Sequence, residues 1–152
     1  MDDKLKAALQ EALERHIPKT LDDIIRCHRD RFSVGLASEA DLDALAQDVG
    51  VGPARDAIDR WNFIRFDERP PEGPAVVSVH LLGWARQQRV YWITSRVVAL
   101  DRGRTLVRTR SGSRYDLGMP GEGEPNINFR LHVCRALHAW GFGKALGVIE
   151  VF

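Results

Sequence analysis

The run that decides the fold is Arg89-Val90-Tyr91-Trp92-Ile93-Thr94-Ser95-Arg96-Val97-Val98-Ala99-Leu100, followed by Asp101-Arg102-Gly103-Arg104, Thr105-Leu106-Val107-Arg108-Thr109-Arg110, Ser111-Gly112-Ser113 and Arg114-Tyr115-Asp116-Leu117. β-branched and aromatic residues fill the first, third and last of these pieces, and glycine sits in each short polar break. Strands of this composition joined by glycine-containing turns signal an antiparallel meander. The reading is a strand over 89–100, a second over 105–110 and a third over 114–117.

Outward from this meander, 75–82 reads as a further strand, and Arg69-Pro70-Pro71-Glu72-Gly73-Pro74 is a stiff polar connector ahead of it. Downstream, 119–125 is a Gly/Pro/Glu loop. Residues 126–140 form a helix with Ile127, Leu131, Cys134, Leu137 and Trp140 on one wide apolar face, broad enough to lie across a sheet. Gly141 ends it, and 147–152 closes the chain as a terminal strand.

Upstream of the connector, apolar residues recur at helical spacing. Leu5, Leu9, Ala12 and Leu13 mark a first helix over 3–16, stopped by Pro18. Thr20-x-x-Asp23 resembles a capping box and opens a second, carrying Leu21, Ile24 and Ile25. Ser38 with Asp41 caps a third, carrying Leu42, Leu45, Ala46 and Val49, with Gly50 as its left-handed stop. Pro53 starts a short fourth with Ala57, Ile58 and Trp61. The expectation is one α+β domain over 1–152. It has about four helices in 1–68, then a β-rich part over 75–152 with an antiparallel sheet of about five strands and a C-terminal helix packed on it.

The bulk numbers agree with a globular chain. With 152 residues, 44% hydrophobic and 28% charged, the sequence is long enough to bury a core and far from the disordered regime. No apolar stretch approaches the roughly 20 residues of a membrane span, and the start of the chain lacks a secretory pattern. Two cysteines, Cys27 and Cys134, are too few for a disulfide framework. The cytoplasm is the expected compartment.

A net charge of +1 hides a division. Residues 1–75 carry 11 Lys and Arg against 16 Asp and Glu, whereas 76–118 carry 8 Arg against Asp101 and Asp116. Alternation along a strand puts Arg104, Arg108 and Arg110 on one side with Leu106. Arg114 follows in the next strand and Arg96 belongs to the preceding one. Like charges opposite one another destabilise a sheet, so either neighbouring acids or a polyanionic partner should offset them. The candidate site is therefore Arg96, Arg104, Arg108, Arg110, Arg114 and Trp92, engaging nucleic acid or an acidic protein surface, with Trp84, Tyr91 and Trp92 as stacking platforms.

Leu42-Asp43-Ala44-Leu45-Ala46-Gln47-Asp48-Val49-Gly50-Val51, continuing to Ile58 and Trp61, resembles the start of a helix-turn-helix through its Ala46-x-x-x-Gly50-Val51 core. The resemblance implies a second helix that enters the major groove. The turn Gly50-Val51-Gly52-Pro53 is longer than that motif uses. Five Asp against Arg55 and Arg60 between Asp41 and Trp61 would also repel phosphates. A helical hairpin packed on the sheet is the preferred reading.

Cys134 and His138 share a helix face, but zinc takes four such ligands and no second pair matches. Core packing is the expectation, with no metal and no cofactor. Glu122 and Glu124 precede a helix, whose positive N-terminal end Glu124 would favour. A Cys–His nucleophile using Cys134 or Cys27 would need an activating environment of which the sequence carries no sign, and no phosphate-binding glycine loop occurs. The expected function is thus a small intracellular non-enzymatic binding or regulatory protein using an Arg-rich sheet face. The alternative is a protein–protein adaptor or inhibitor that uses exposed aromatics and acidic helical surfaces.

Overall fold

The computed structural model describes residues 2–150, the side chains of residues 12–16 excepted. Its centre is a sheet of six strands in sequence order: β1 (Phe32–Leu36), β2 (Asp56–Glu68), β3 (Val76–Ala85), β4 (Val90–Leu100), β5 (Leu106–Thr109) and β6 (Arg114–Leu117). Consecutive strands pair antiparallel. β6 then returns to β2 and closes a barrel through a parallel pair, Asp56↔Tyr115 to Ile58↔Leu117. Each hairpin reverses the chain, so the first and fifth strands of the β2–β6 meander run the same way and must close in parallel. β2 pairs with β3 along one edge and divides its other edge between two strands: its start meets β6, and its end, Ile64 to Glu68, meets β1.

Two apolar layers result. Inside the barrel, Ile58, Phe63, Val79, Leu81, Val97, Leu100, Val107 and Tyr115 pack together. Outside it, the helix α3 (Ile127–Ala139) lays Phe129, Val133, Cys134 and Leu137 over Ile64, Phe66 and Leu82, with Leu21, Ile24 and Ile25 completing the layer. Each fully buried Leu or Ile in these layers stabilises the fold by about 1.5–3 kcal/mol relative to leaving it in water. Gly83 allows the strands to close tightly. A Cβ there would collide with the Ile58 side chain and sit 2.8 Å from the Asp59 carbonyl.

The β-rich part matches its expected order, with β3 to β6 and α3 close to the anticipated bounds. The first 68 residues differ. Among the described residues there are three α-helices, α1 (Asp3–His16), α2 (Glu39–Asp43) and α3, and the expected set of four before the connector is absent. The expected second helix is a single 3-10 turn, Asp22–Ile24. Thr20 Oγ1 does accept from the Asp23 amide, but Arg26 and Cys27 then donate to the Leu146 carbonyl and leave the helix. The expected third begins as anticipated, with a full Ser38–Asp41 capping box, and stops at Asp43. Beyond it, Leu45 and Gln47 bond to the backbone of Leu100, so the chain is captured by β4.

The expected fourth helix is the start of β2. A bulge between Asp59 and Asn62 adds a residue, with Arg60 at φ 50°, so the spacing from Ile58 to Trp61 looks helical while the backbone is extended. This removes both the helix-turn-helix likeness and the helical hairpin. The Arg69–Pro74 connector is a loop between paired strands β2 and β3, not a boundary between a helical and a β part. Residues 147–150 form no strand, and the last two residues of that expected element lie outside the described residues.

Candidate anion-binding surface

The barrel turns one side of every strand inward, and this sets where the arginines go. Val107 and Thr109 of β5 are buried, so Leu106 and Arg108 point outward. Arg108 lies directly opposite Arg114 in the β5–β6 register. Arg110 follows two residues later, exposed, and its amide donates to the Arg96 carbonyl at 2.8 Å. Arg114, Arg108, Arg110 and Arg96 therefore occupy neighbouring positions across β6, β5 and β4.

Their partners separate them from Arg104. The Arg104 guanidinium reaches Glu39 at 2.6 Å and Asp43 at 3.4 Å, both on α2. The hydrogen bond and charge of Arg104 hold the Glu39 carboxyl below its ordinary range. Arg108 instead donates to backbone: Nε to the Val49 carbonyl at 2.6 Å, Nη1 to Gly112 at 3.1 Å and Nη2 to Val51 at 3.4 Å. Arg114 Nη1 donates to the Gly52 carbonyl, and its Nε is buried without a partner. Arg96 Nη2 donates to the Val77 carbonyl at 3.3 Å. A carbonyl satisfies a donor but cancels no charge. Among the described residues, none of Arg96, Arg108, Arg110 and Arg114 forms an ion pair.

Each end of this stripe opens into a cavity. At the β5–β6 end, a space of about 400 Å³ lies between the loop 51–54, Arg55, Arg108 and Arg114. Trp92 stands near it, but its ring is covered by the Arg55 guanidinium at 4.9 Å and its Nε1 donates to Tyr115 Oη. Trp84 and Tyr91 meet edge to face and Tyr91 packs on Phe129 under α3. None of the three expected platforms presents a free ring.

At the other end, past the C-terminus of α3, a cleft of about 340 Å³ holds Arg96 and Arg110 together with Ser78, Ser95, His80 and Trp140. α3 stops before it covers the whole outer sheet face, and this cleft is what remains. Trp140, the C-cap residue of α3, stacks on His80 with centroids 4.6 Å apart and is still 37% exposed. His80 Nδ1 lies 3.0 Å from the Thr94 carbonyl, which can only accept, so that nitrogen carries the proton and Nε2 accepts from Ser78 Oγ at 2.9 Å. Burial above all, with the Arg96 charge behind it, keeps the imidazole below its ordinary 6.5, against the pull of the Thr94 and Ser95 carbonyls. It is neutral at pH 7.

The remaining candidates are structural in this fold. Cys134 is wholly buried under α3, and burial pushes its thiol up to about 11. His138 Nε2 bonds the carbonyls of Val148 and Ile149, pinning the chain end back onto α3. Among the described residues no three His, Cys, Asp or Glu side chains converge as a metal site would require. Asn126 is the cap of α3, accepting from the Phe129 amide, while Glu124 accepts from the distant Leu21 amide. No helix among the described residues is long and apolar enough to cross a membrane. No protein family, curated protein or solved structure matches the chain.

The cleft residues His80, Ser78 and Trp140 were not anticipated as a site. Trp140 read as part of the apolar helix face. Its place beside Gly141, at the very end of that face, is the one signal that it could project beyond the covered sheet.

Proposed function

We propose that this is a small intracellular binding protein, regulatory and not enzymatic, whose arginine stripe engages a polyanion, nucleic acid foremost. The observation that supports it is the run of four neighbouring arginines, Arg96, Arg108 and Arg114 on β4 to β6 and Arg110 just past β5, without a carboxylate partner among the described residues. Such a field costs the fold self-repulsion, and the carbonyl contacts of Arg108 and Arg114 fix the side chains in place while keeping their charge. Phosphates or sulfates laid along the stripe would offset it.

The test is the salt dependence of binding to heparin and to oligonucleotides. Each neutralised phosphate contributes about −0.7 to −0.9 to the slope of log affinity against log salt. A stripe of four predicts a steep fall. The absence of any heparin or oligonucleotide complex at low salt would sink the proposal.

A second reading, an adaptor, draws on α1, where Leu5 and Leu9 are 53% and 49% exposed along one stripe. Leu5→Glu with Leu9→Glu should then remove a stoichiometric protein partner recovered from the native host and leave heparin binding intact.

A further inference from the structure

We infer that the Trp140 cleft seats one unstacked nucleotide of a single strand, base toward β2 and phosphate toward β4 and β5. The inference rests on the polyanion reading above and assigns it a strand type.

The sheet order makes the cleft chemically two-sided. β3 forms its floor through Ser78 and His80. On the β2 side stand Phe66 and Glu68, with Phe142 packed 5.3 Å from Phe66. On the β4–β5 side stand Arg96, Arg110 and Ser95. One wall is aromatic with a single carboxylate at its rim, and the other is cationic with a hydroxyl. A ligand that satisfies both is a planar ring with hydrogen-bond donors on one edge and an anion on the other side. Glu68 accepts from a base amino or ring N–H and repels a second phosphate, which fixes the direction.

Trp140 is a braced platform. Stacking on His80 holds the indole, and the imidazole is itself tied at both nitrogens by Ser78 and Thr94, so the pair does not need to reorganise. The neutral His80 adds no third cation, so the anion is directed to the two arginines alone. A volume of about 340 Å³ sits at the low end of small-ligand pockets and takes one ring, not two paired ones. A base inside a duplex cannot enter; it stays in its stack.

The experiment compares a short fluorescein-labelled oligodeoxyadenylate, the same sequence as a duplex, and heparin, binding to the whole chain and to Trp140→Ala and Trp140→Phe. The expected result is tighter binding of the single strand than of the duplex, on the order of tenfold, as one aromatic–base stack supplies. Trp140→Ala removes that preference while heparin is still bound, and Trp140→Phe retains most of it. Thermal melts of the three chains verify that the cleft variants are folded, and Trp140→Phe carries the test if Trp140→Ala is not. Equal affinity for single strand and duplex, with heparin bound, overturns the nucleotide cleft and leaves the stripe. Failure of all three ligands overturns both.

Discussion

Arg104 and Arg110 flank β5 on either side, six residues apart, yet they face opposite circumstances. Arg104 is held between Glu39 and Asp43 and is electrostatically spent. Arg110 is exposed and its side chain meets no acid among the described residues. The difference comes from what folds against each end. The capping box at Ser38 starts α2 and brings two carboxylates down onto the beginning of β5, while the far end looks out over a sheet face that α3 leaves uncovered. A count of arginines in a strand therefore says little about binding until the neighbouring element is known.

The largest effect should come from reversing charge at the bare end. Arg96→Glu with Arg110→Glu is expected to weaken heparin and oligonucleotide binding by roughly a hundredfold, whereas Arg104→Glu changes it less than about twofold. Fluorescence anisotropy at fixed low salt measures both, and equal losses would erase the distinction between the ends.

Next in size is the middle of the stripe. Arg108→Ala deletes donors to three backbone carbonyls and should cost about 2 kcal/mol in urea unfolding, together with one phosphate contact in the salt slope. An unchanged unfolding midpoint would mean that the loop 49–53 does not depend on this clasp.

A smaller and opposite effect is expected when the spent end is released. Glu39→Gln with Asp43→Asn leaves Arg104 unpaired, so polyanion affinity should rise by about threefold and the salt slope steepen by nearly one. A fall in affinity would show that Arg104 needs those carboxylates for its placement.

The smallest is a pH effect at the cleft. The folded His80 pKa lies below the ordinary 6.5, so the unfolded chain takes up a proton first as pH falls. Stability is full above about 6.5 and is lost progressively below it until the folded pKa is reached. His132, lowered chiefly by its own burial, acts in the same sense. The urea midpoint should be lower at about pH 5.5 than at about pH 7.5, and His80→Gln should reduce the difference. Asp56 extends the acid limb. Its burial opposes ionisation, but the amides of Gln87, Gln88 and Ala57 outweigh this and hold it below 3.8, so its contribution disappears only as pH falls under that value.

The strands after the connector were legible because alternation and glycine turns are local properties. Tyr91-Trp92-Ile93 and Leu106-Val107 carry their own direction. β2 was not legible. Its bulge at Arg60 shifts the apolar positions out of the two-residue period, and Ala57, Ile58 and Trp61 then imitate a helix. β1 was missed because Phe32-Ser33-Val34-Gly35-Leu36 is short and holds a glycine that weakened the pattern. The arginine positions were readable along β5, since a strand's alternation is simple geometry. Which of them would be neutralised was not, because Glu39 and Asp43 lie more than sixty residues away in sequence from Arg104. Trp92 showed its ring chemistry in the sequence, but Arg55 resting on it is a tertiary fact.

The parallel seam between β2 and β6 has a temporal consequence. Asp56 waits for Tyr115, so during synthesis the ribosome must pass nearly sixty further residues before the start of β2 acquires the partner that closes the barrel. Until then Ile58 and Phe63 line an unfastened, water-facing curve. Non-local pairing of this kind slows assembly and gives a nascent chain a window of vulnerability to aggregation.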